Sequence, residues 1–419
     1  MSKVERLHRR QLLGLAGLLA PGVLLTLADR PMLASGESAR QPSPMTKETT
    51  ALLAGSINAP LRVPASDGLE HLEYDLILTN VCAAPITLTT IEIVAPDGRL
   101  LRRLEGDELA ALTQPVFFAG GPPVTEVPVA GTLATVIDLA VPPDTVPARI
   151  THHITYTLPA DTPYRTIIGS LEIAGPDLAV DPRPPLVVVP PMRGSGWFNA
   201  NAISATAIVS AASNHRNFRL AVDGSHLVTP ETFAIDWLLL RDGLPAEGDG
   251  SRNEQYFGFG AEVVAAAGGT VAAVRNDMPN ETPGQPTVAV HHPEDYAGNH
   301  VTVEIASGVY ALYAHLQPGS VSVRAGERVE TGQPLGRLGN TGNTSGPHLH
   351  FQLSDSADAL TSNSLPFVLD RYTLAGTVDP MALAAAAADP TGTLALPVEP
   401  LSQVQTDTFP LMLTLIDLP

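Results

Sequence analysis

Gly346-Pro347-His348-Leu349-His350-Phe351 sets two imidazoles at i and i+2 with apolar residues between them. Successive side chains on a strand point to opposite faces, so His348 and His350 share one face while Leu349 and Phe351 line the other. That pattern predicts a β-strand with its apolar side in a core and both imidazoles turned to one site. Two solvated histidines are the ordinary reading of an isolated His-x-His pair, but the surrounding sequence weighs against it. Eight of the 12 histidines lie from His215 to His350, and Tyr310-Ala311-Leu312-Tyr313-Ala314-His315-Leu316 is a second alternating strand ending in His315.

A catalytic zinc site takes three protein ligands from His, Asp or Glu and leaves a fourth position for water. The chain offers His215, in Ser213-Asn214-His215-Arg216, and Asp236, in Phe233-Ala234-Ile235-Asp236-Trp237, where an acid interrupts an apolar strand. A buried carboxylate needs a partner. An Arg or a turn would supply one as readily as a metal, and the nearby histidines favour the metal.

These residues, with Gly258-Phe259-Gly260-Ala261-Glu262-Val263-Val264, Tyr313-Ala314-His315-Leu316 and the run from Gly339 to Phe351, occur in an order that resembles the lysostaphin/LytM-like zinc endopeptidases of peptidoglycan. The resemblance covers about Asn214 to Leu353. It implies an antiparallel β catalytic domain, one zinc ion per chain held by His215, Asp236 and His350, and catalytic roles for His315 and His348. It departs from the family pattern at the first pair. The family spaces its His and Asp as HxxxD, whereas 20 residues separate His215 from Asp236 here, so Asp223 stands as a rival. Asp223-Gly224 is a turn signal that needs no metal, and Arg219 or solvent would satisfy it. The segment between the two ligands reads as an inserted loop or hairpin beside the cleft, with turns at Val222-Asp223-Gly224 and Thr229-Pro230.

Hydroxide formed at the open zinc position would attack the scissile carbonyl, and with no HExxH present the proton carriers are His315 and His348, their division of labour left open. Gly336 to Gly346 lacks the GxxxxGK[ST] pattern and is read as a tight loop allowing close backbone approach to a small-residue peptide. Tyr313 is either a substrate contact or a packed aromatic. His226, His291 and His292 carry no site role, and His300 is a marginal cleft candidate.

The rest of the chain reads as mostly β. Leu72, Tyr74, Leu76 and Leu78 share one strand face, as do Ile150, Ile154, Tyr156 and Leu158, which suggests a sandwich. His152 and His153 fall on opposite faces and cannot chelate together. The expected organisation is 1–34 signal peptide, 35–50 linker, 51–190 β-sandwich, 191–375 zinc metallopeptidase domain and 376–419 C-terminal tail, with a short helix near Ala382 to Ala388. Arg9-Arg10 before an apolar run points to export, in a twin-arginine or ordinary secretory form, cleaved or kept as an anchor, and hence to a periplasmic or secreted protein. Cys82 alone excludes an internal disulfide, and the net charge of -19 disfavours nucleic acid and anionic membrane as partners. No integral membrane partner is evident, and the sequence is silent on oligomeric state. Two other classes compete with the enzyme: a catalytically silent wall-binding or hydrolase-activating protein, and a zinc-binding structural or carrier protein. Keeping all five polar positions argues against both.

Overall fold

The computed structural model describes residues 48–116, 124–383 and 395–419. The expected signal peptide, most of the linker and most of the helix near Ala382 to Ala388 lie outside them.

Two antiparallel sheets pack face to face in the first half. One is built on β1 (Glu70–Asn80) and the other on β2 (Ile86–Val94); β3 (Thr132–Val141) pairs with β1, and β4 (Arg149–Thr157) pairs with β2. Leu72, Tyr74, Leu76 and Leu78 of β1 and Ile150, Ile154, Tyr156 and Leu158 in and beside β4 fill one core between the sheets, in keeping with their alternation. His152 is buried and His153 exposed, on opposite faces as expected. The other face of β1 breaks the expected rule: Glu73 and Asp75 are as fully buried as the apolar residues.

The second half is organised by a long antiparallel sheet. Its principal strands are β5 (Gly194–Asn201), β6 (Ile235–Leu239), β7 (Gly269–Arg275), β8 (Asn299–Ala306), β9 (Val309–Leu316), β10 (Leu349–Ser354), β11 (Tyr372–Val378), β12 (Val398–Gln405) and β13 (Thr414–Leu418). Their spatial order is β7-β8-β9-β10-β6-β5-β13-β11-β12. Apolar residues of this sheet, among them Trp237, Tyr313, Leu349 and Phe351, form a second core. Within 376–419, expected to be a tail, β12 and β13 are built into the sheet: β13 lies between β5 and β11 and hydrogen-bonds to both. Strand order in a sheet need not follow chain order, and no local pattern announces a pairing across some 200 residues. Among the described residues no helix is long and apolar enough to cross a membrane.

Candidate metal centre

Register brings the site together. Asp236 on β6 stands opposite His350 on β10 and beside Asn201 on β5, and directly opposed residues share a face of the sheet. The Asp236 Oδ1 therefore meets His350 Nδ1 at 3.0 Å, and Oδ2 accepts from Asn201 Nδ2 at 3.1 Å. His348, two residues before His350, falls on the same face with Nε2 3.4 Å from Asp236 Oδ1. His215 arrives from the loop after helix Ala207–Ala212, its Nε2 3.2 Å from Asp236 Oδ2.

His315 reaches the site by breaking the alternation. Ala314 is the residue opposite His350, so a regular strand would send the next side chain to the far face. His315 instead has φ of 64°, the left-handed region that non-glycine residues occupy only under constraint. Its amide donates to the Ala297 carbonyl, its carbonyl accepts from Gly339, and its Nδ1 donates to the Thr341 carbonyl at 2.7 Å. The loop carrying Thr341 is seated by a close backbone approach: a Cβ on Gly298 would lie 2.2 Å from the Thr341 oxygen, and one on Gly342 would lie 2.3 Å from the Gly298 nitrogen. Gly342 therefore serves the chain's own backbone, where close approach to a substrate peptide is expected of the loop Gly336 to Gly346.

His215, Asp236 and His350 place their donor atoms within 4.8 Å of one another, close enough to hold one metal ion. The outer hydrogen bonds suit that use, since fixing one ring nitrogen frees the other. His215 Nδ1 donates to the Ala234 carbonyl, leaving Nε2, and His350 Nε2 faces Gln352 Oε1 at 2.8 Å, leaving Nδ1. His348 Nδ1 donates to the Gly346 carbonyl and His315 Nδ1 to Thr341, so each keeps Nε2 for chemistry.

The electrostatics are those of a site that wants positive charge. Burial opposes ionisation of Asp236, yet the neighbouring His215 and His348 hold its carboxyl well below the usual range. Burial would likewise lower His215, but Asp236 and then Glu231 keep it up at about 9. His315 and His348 are pushed apart. Burial, with His348 and His350 adding to it, holds His315 well below the usual imidazole value, whereas at His348 the Asp236 charge overcomes burial and raises it.

All five residues line one cavity of about 330 Å³. Glu231, Tyr296, Asn343 and Gln352 line it too, and none was singled out from sequence. Gln352 was legible, being the next same-face residue after His350; Glu231, 4.0 Å from His215 Nε2, carries no such signal. Of the alternatives, Asp223 is exposed in a left-handed turn of the hairpin Leu220–Val222/His226–Val228, and Arg219 bonds to Asp75 instead. Tyr313 is a packed aromatic whose hydroxyl accepts from the Ala266 amide. His226, His291 and His292 are exposed, and His300 bonds to Gly298 outside the cavity lining.

A mostly antiparallel β fold thus gathers three potential metal donors beside two further histidines. Residues 257–362 match Peptidase family M23, so the chain carries a domain of that family, as the lysostaphin/LytM-like resemblance implied. His215 and Asp236 lie upstream of the matched residues. Among curated relatives, peptidoglycan DD-endopeptidase ShyA of Vibrio cholerae is 37% identical over 90 residues, 22% of this chain and 20% of that protein. DD-carboxypeptidase/endopeptidase Mpg of Neisseria meningitidis is 44% identical over 55 residues, 13% of this chain and 12% of that one. The chain thus spans a fifth or less of the length of the relatives it matches first. The lysostaphin catalytic domain of Staphylococcus simulans overlays with a TM-score of 0.21 at 20% identity, covering 35% of this chain and 80% of that domain, a likeness too slight to carry an argument.

Proposed function

We propose that the protein is an exported zinc endopeptidase that hydrolyses peptide bonds in peptidoglycan. The observation that carries this reading is the convergence of His215 Nε2, the Asp236 carboxylate and His350 Nδ1 on the wall of a cleft, with the non-donor nitrogens of both imidazoles tied back. Two nitrogens and a carboxylate are a donor set that zinc accepts while keeping a coordination position for water. When bound there, zinc supplies Lewis acidity and lowers the pKa of water.

The chain's own residues do the rest. Asn201 fixes the Asp236 carboxylate from the β5 side, and Ser213 Oγ fixes Asn201 by donating to its Oδ1 at 2.6 Å. His315 and His348, ring centroids 4.7 Å apart, face the cleft with Nε2 available to accept a proton from water and to return it to the leaving amine. Proton-carrying histidines beside the donor set disfavour a purely structural or carrier site. The relatives' names point to wall peptides as substrate, and an extracytoplasmic destination accords with that and with Arg9-Arg10 ahead of an apolar run.

The purified chain should hold about one equivalent of zinc by elemental analysis. His350→Ala and Asp236→Ala should lose most of it, Asp223→Ala none. His315→Ala and His348→Ala should keep zinc and slow release of muropeptides, followed by mass spectrometry, by roughly 10²-fold or more. A chain that takes up no zinc, or one fully loaded that leaves peptidoglycan intact, would overturn the reading and favour a silent wall-binding protein.

A further inference from the structure

His215 is the one member of the donor set whose backbone lies off the large sheet, and the loop that carries it is held by the other half of the molecule. Helix Ala207–Ala212 buries Ala207 and Ala211 with the sandwich core. The chain then runs from Ser213 to Arg219 over the face of β1 and β3 that points away from that core. Arg216, the residue after His215, is 1% exposed. Its Nε donates to Glu73 at 2.7 Å, one terminal nitrogen to Asp75 at 2.6 Å, and the other to the Tyr74 and Ile137 carbonyls at 2.8 and 3.3 Å. Arg219 takes the second Asp75 oxygen at 2.5 Å, and Asn217 is bonded to Gln114 and to the Ala211 carbonyl. Phe218 stacks on Tyr296, which lines the cleft, with centroids 5.6 Å apart and planes 7° from parallel.

Every named acid on this face answers to a cation. Asp75 is held low because Arg216 and Arg219 outweigh its burial. Glu73 stands opposite Asp138, and burial together with that neighbouring carboxylate keeps its carboxyl well above the usual range, while His71 Nδ1 meets Asp138 Oδ1 at 2.8 Å. His71, Glu73 and Asp138 lie close enough to hold a cation of their own. The Arg216 bond to Glu73 and the His71 bond to Asp138 already serve that purpose, so no second metal is assigned.

We infer that Arg216, clamped by Glu73 and Asp75, is a positioning residue for His215, so that the N-terminal sandwich is a working part of the metal centre. Without the clamp the loop keeps its ties to the second half, among them the His215 bonds to Ala234 and Asp236, the Ser213 bond to Asn201 and the Phe218 stack on Tyr296. A neutralised partner leaves a buried guanidinium unpaired, and such charges move their backbone toward solvent when they can. The shift falls on the neighbouring His215.

The inference rests on the zinc reading, and its test separates the two. In the full chain, Asp75→Asn, alone or combined with Glu73→Gln, should weaken zinc affinity, measured by chelator competition, by 10- to 100-fold, the size of effect typical of groups that orient a ligand. Leu76→Ala, which opens the sandwich core without touching the loop, should lower the melting temperature while zinc affinity stays within about twofold. Should the acid variants fail to fold, the wild-type chain still decides. Coupling is reciprocal, so zinc should slow amide exchange in 70–80 by more than in 86–94, a strand of the opposite sheet. A folded Asp75→Asn chain with wild-type affinity, or equal zinc effects on the two strands, would overturn the inference alone. A wild-type chain that binds no zinc would remove the metallopeptidase reading and this inference with it.

Discussion

His152 and His215 are both buried, and their neighbours push them in opposite directions. His215 faces a carboxylate and is held up at about 9. His152 has only a Tyr74 hydroxyl at 2.7 Å and the Pro176 carbonyl at 2.9 Å, so burial dominates and its value falls to about 4. The Pro176 carbonyl requires Nδ1–H, and with burial keeping the ring neutral the Tyr74 hydroxyl donates to Nε2. Below about pH 6.5 the unfolded chain takes up a proton here that the folded chain refuses until about pH 4. The sandwich should therefore lose stability as pH falls through that window, by about 2 kcal/mol between pH 7 and pH 5. In the metal-free chain His215 contributes in a different window, because its raised value stabilises below about 6.5 and the benefit is lost only as pH rises through about 9. Urea denaturation at pH 7 and pH 5 should show the acid loss in the wild type and a much smaller one in His152→Gln. Equal acid sensitivity in both chains would acquit His152.

At the scale of elements, the hairpin between His215 and Asp236 tests how far an insertion can be trimmed. Its two strands, Leu220–Val222 and His226–Val228, pair in register, and none of residues 220–228 lines the cavity. The return limb is different: the Pro230 carbonyl accepts from Gln352 Nε2, and the Oε1 of the same Gln352 faces His350. A cut confined to the tip should be silent, and one reaching Pro230 should not be. An Asp223→Ala, His226→Ala chain is expected to keep its full zinc equivalent, and metal loss from that folded double variant would return Asp223 to candidacy. The His348-to-Phe351 strand was legible because its alternation is local and its chemistry shares one face. The docking of Arg216 was not, because alternation on β1 marks Glu73 and Asp75 as the polar face and cannot say whether that face meets water or buried guanidinium groups. The backbone reversal at His315 was hidden for a related reason: a positive φ at a histidine is imposed by the Gly298 and Gly342 packing, not by its neighbours in sequence.

On the scale of the whole molecule, β13 supports the strand that carries Asn201. β13 lies between β5 and β11, with Ile416 fully buried and Leu418 nearly so. β5 carries Asn201, which orients Asp236, and the loop before β13 anchors it further: the Asn199 side chain donates to the Pro410 carbonyl and the Leu413 amide to the Asn199 carbonyl. One of the partners of β13, β5, lies about 200 residues upstream and no turn signal links the two, so its central place could not be read. Deleting residues 411–419 would leave β5 and β11 with facing rows of unpaired backbone groups and uncover apolar side chains of the large core, the arrangement that drives strand edges to aggregate. We expect the truncated chain to be largely insoluble, and its soluble fraction to melt well below the wild type by circular dichroism and to bind zinc poorly. Lys substitution at Thr414, which keeps β13 in place at a position buried at its start, should cost stability yet leave soluble protein. A soluble truncated chain with wild-type melting and zinc content would show that β13 is dispensable, and with it the proposed path from the end of the chain through β5 to Asp236.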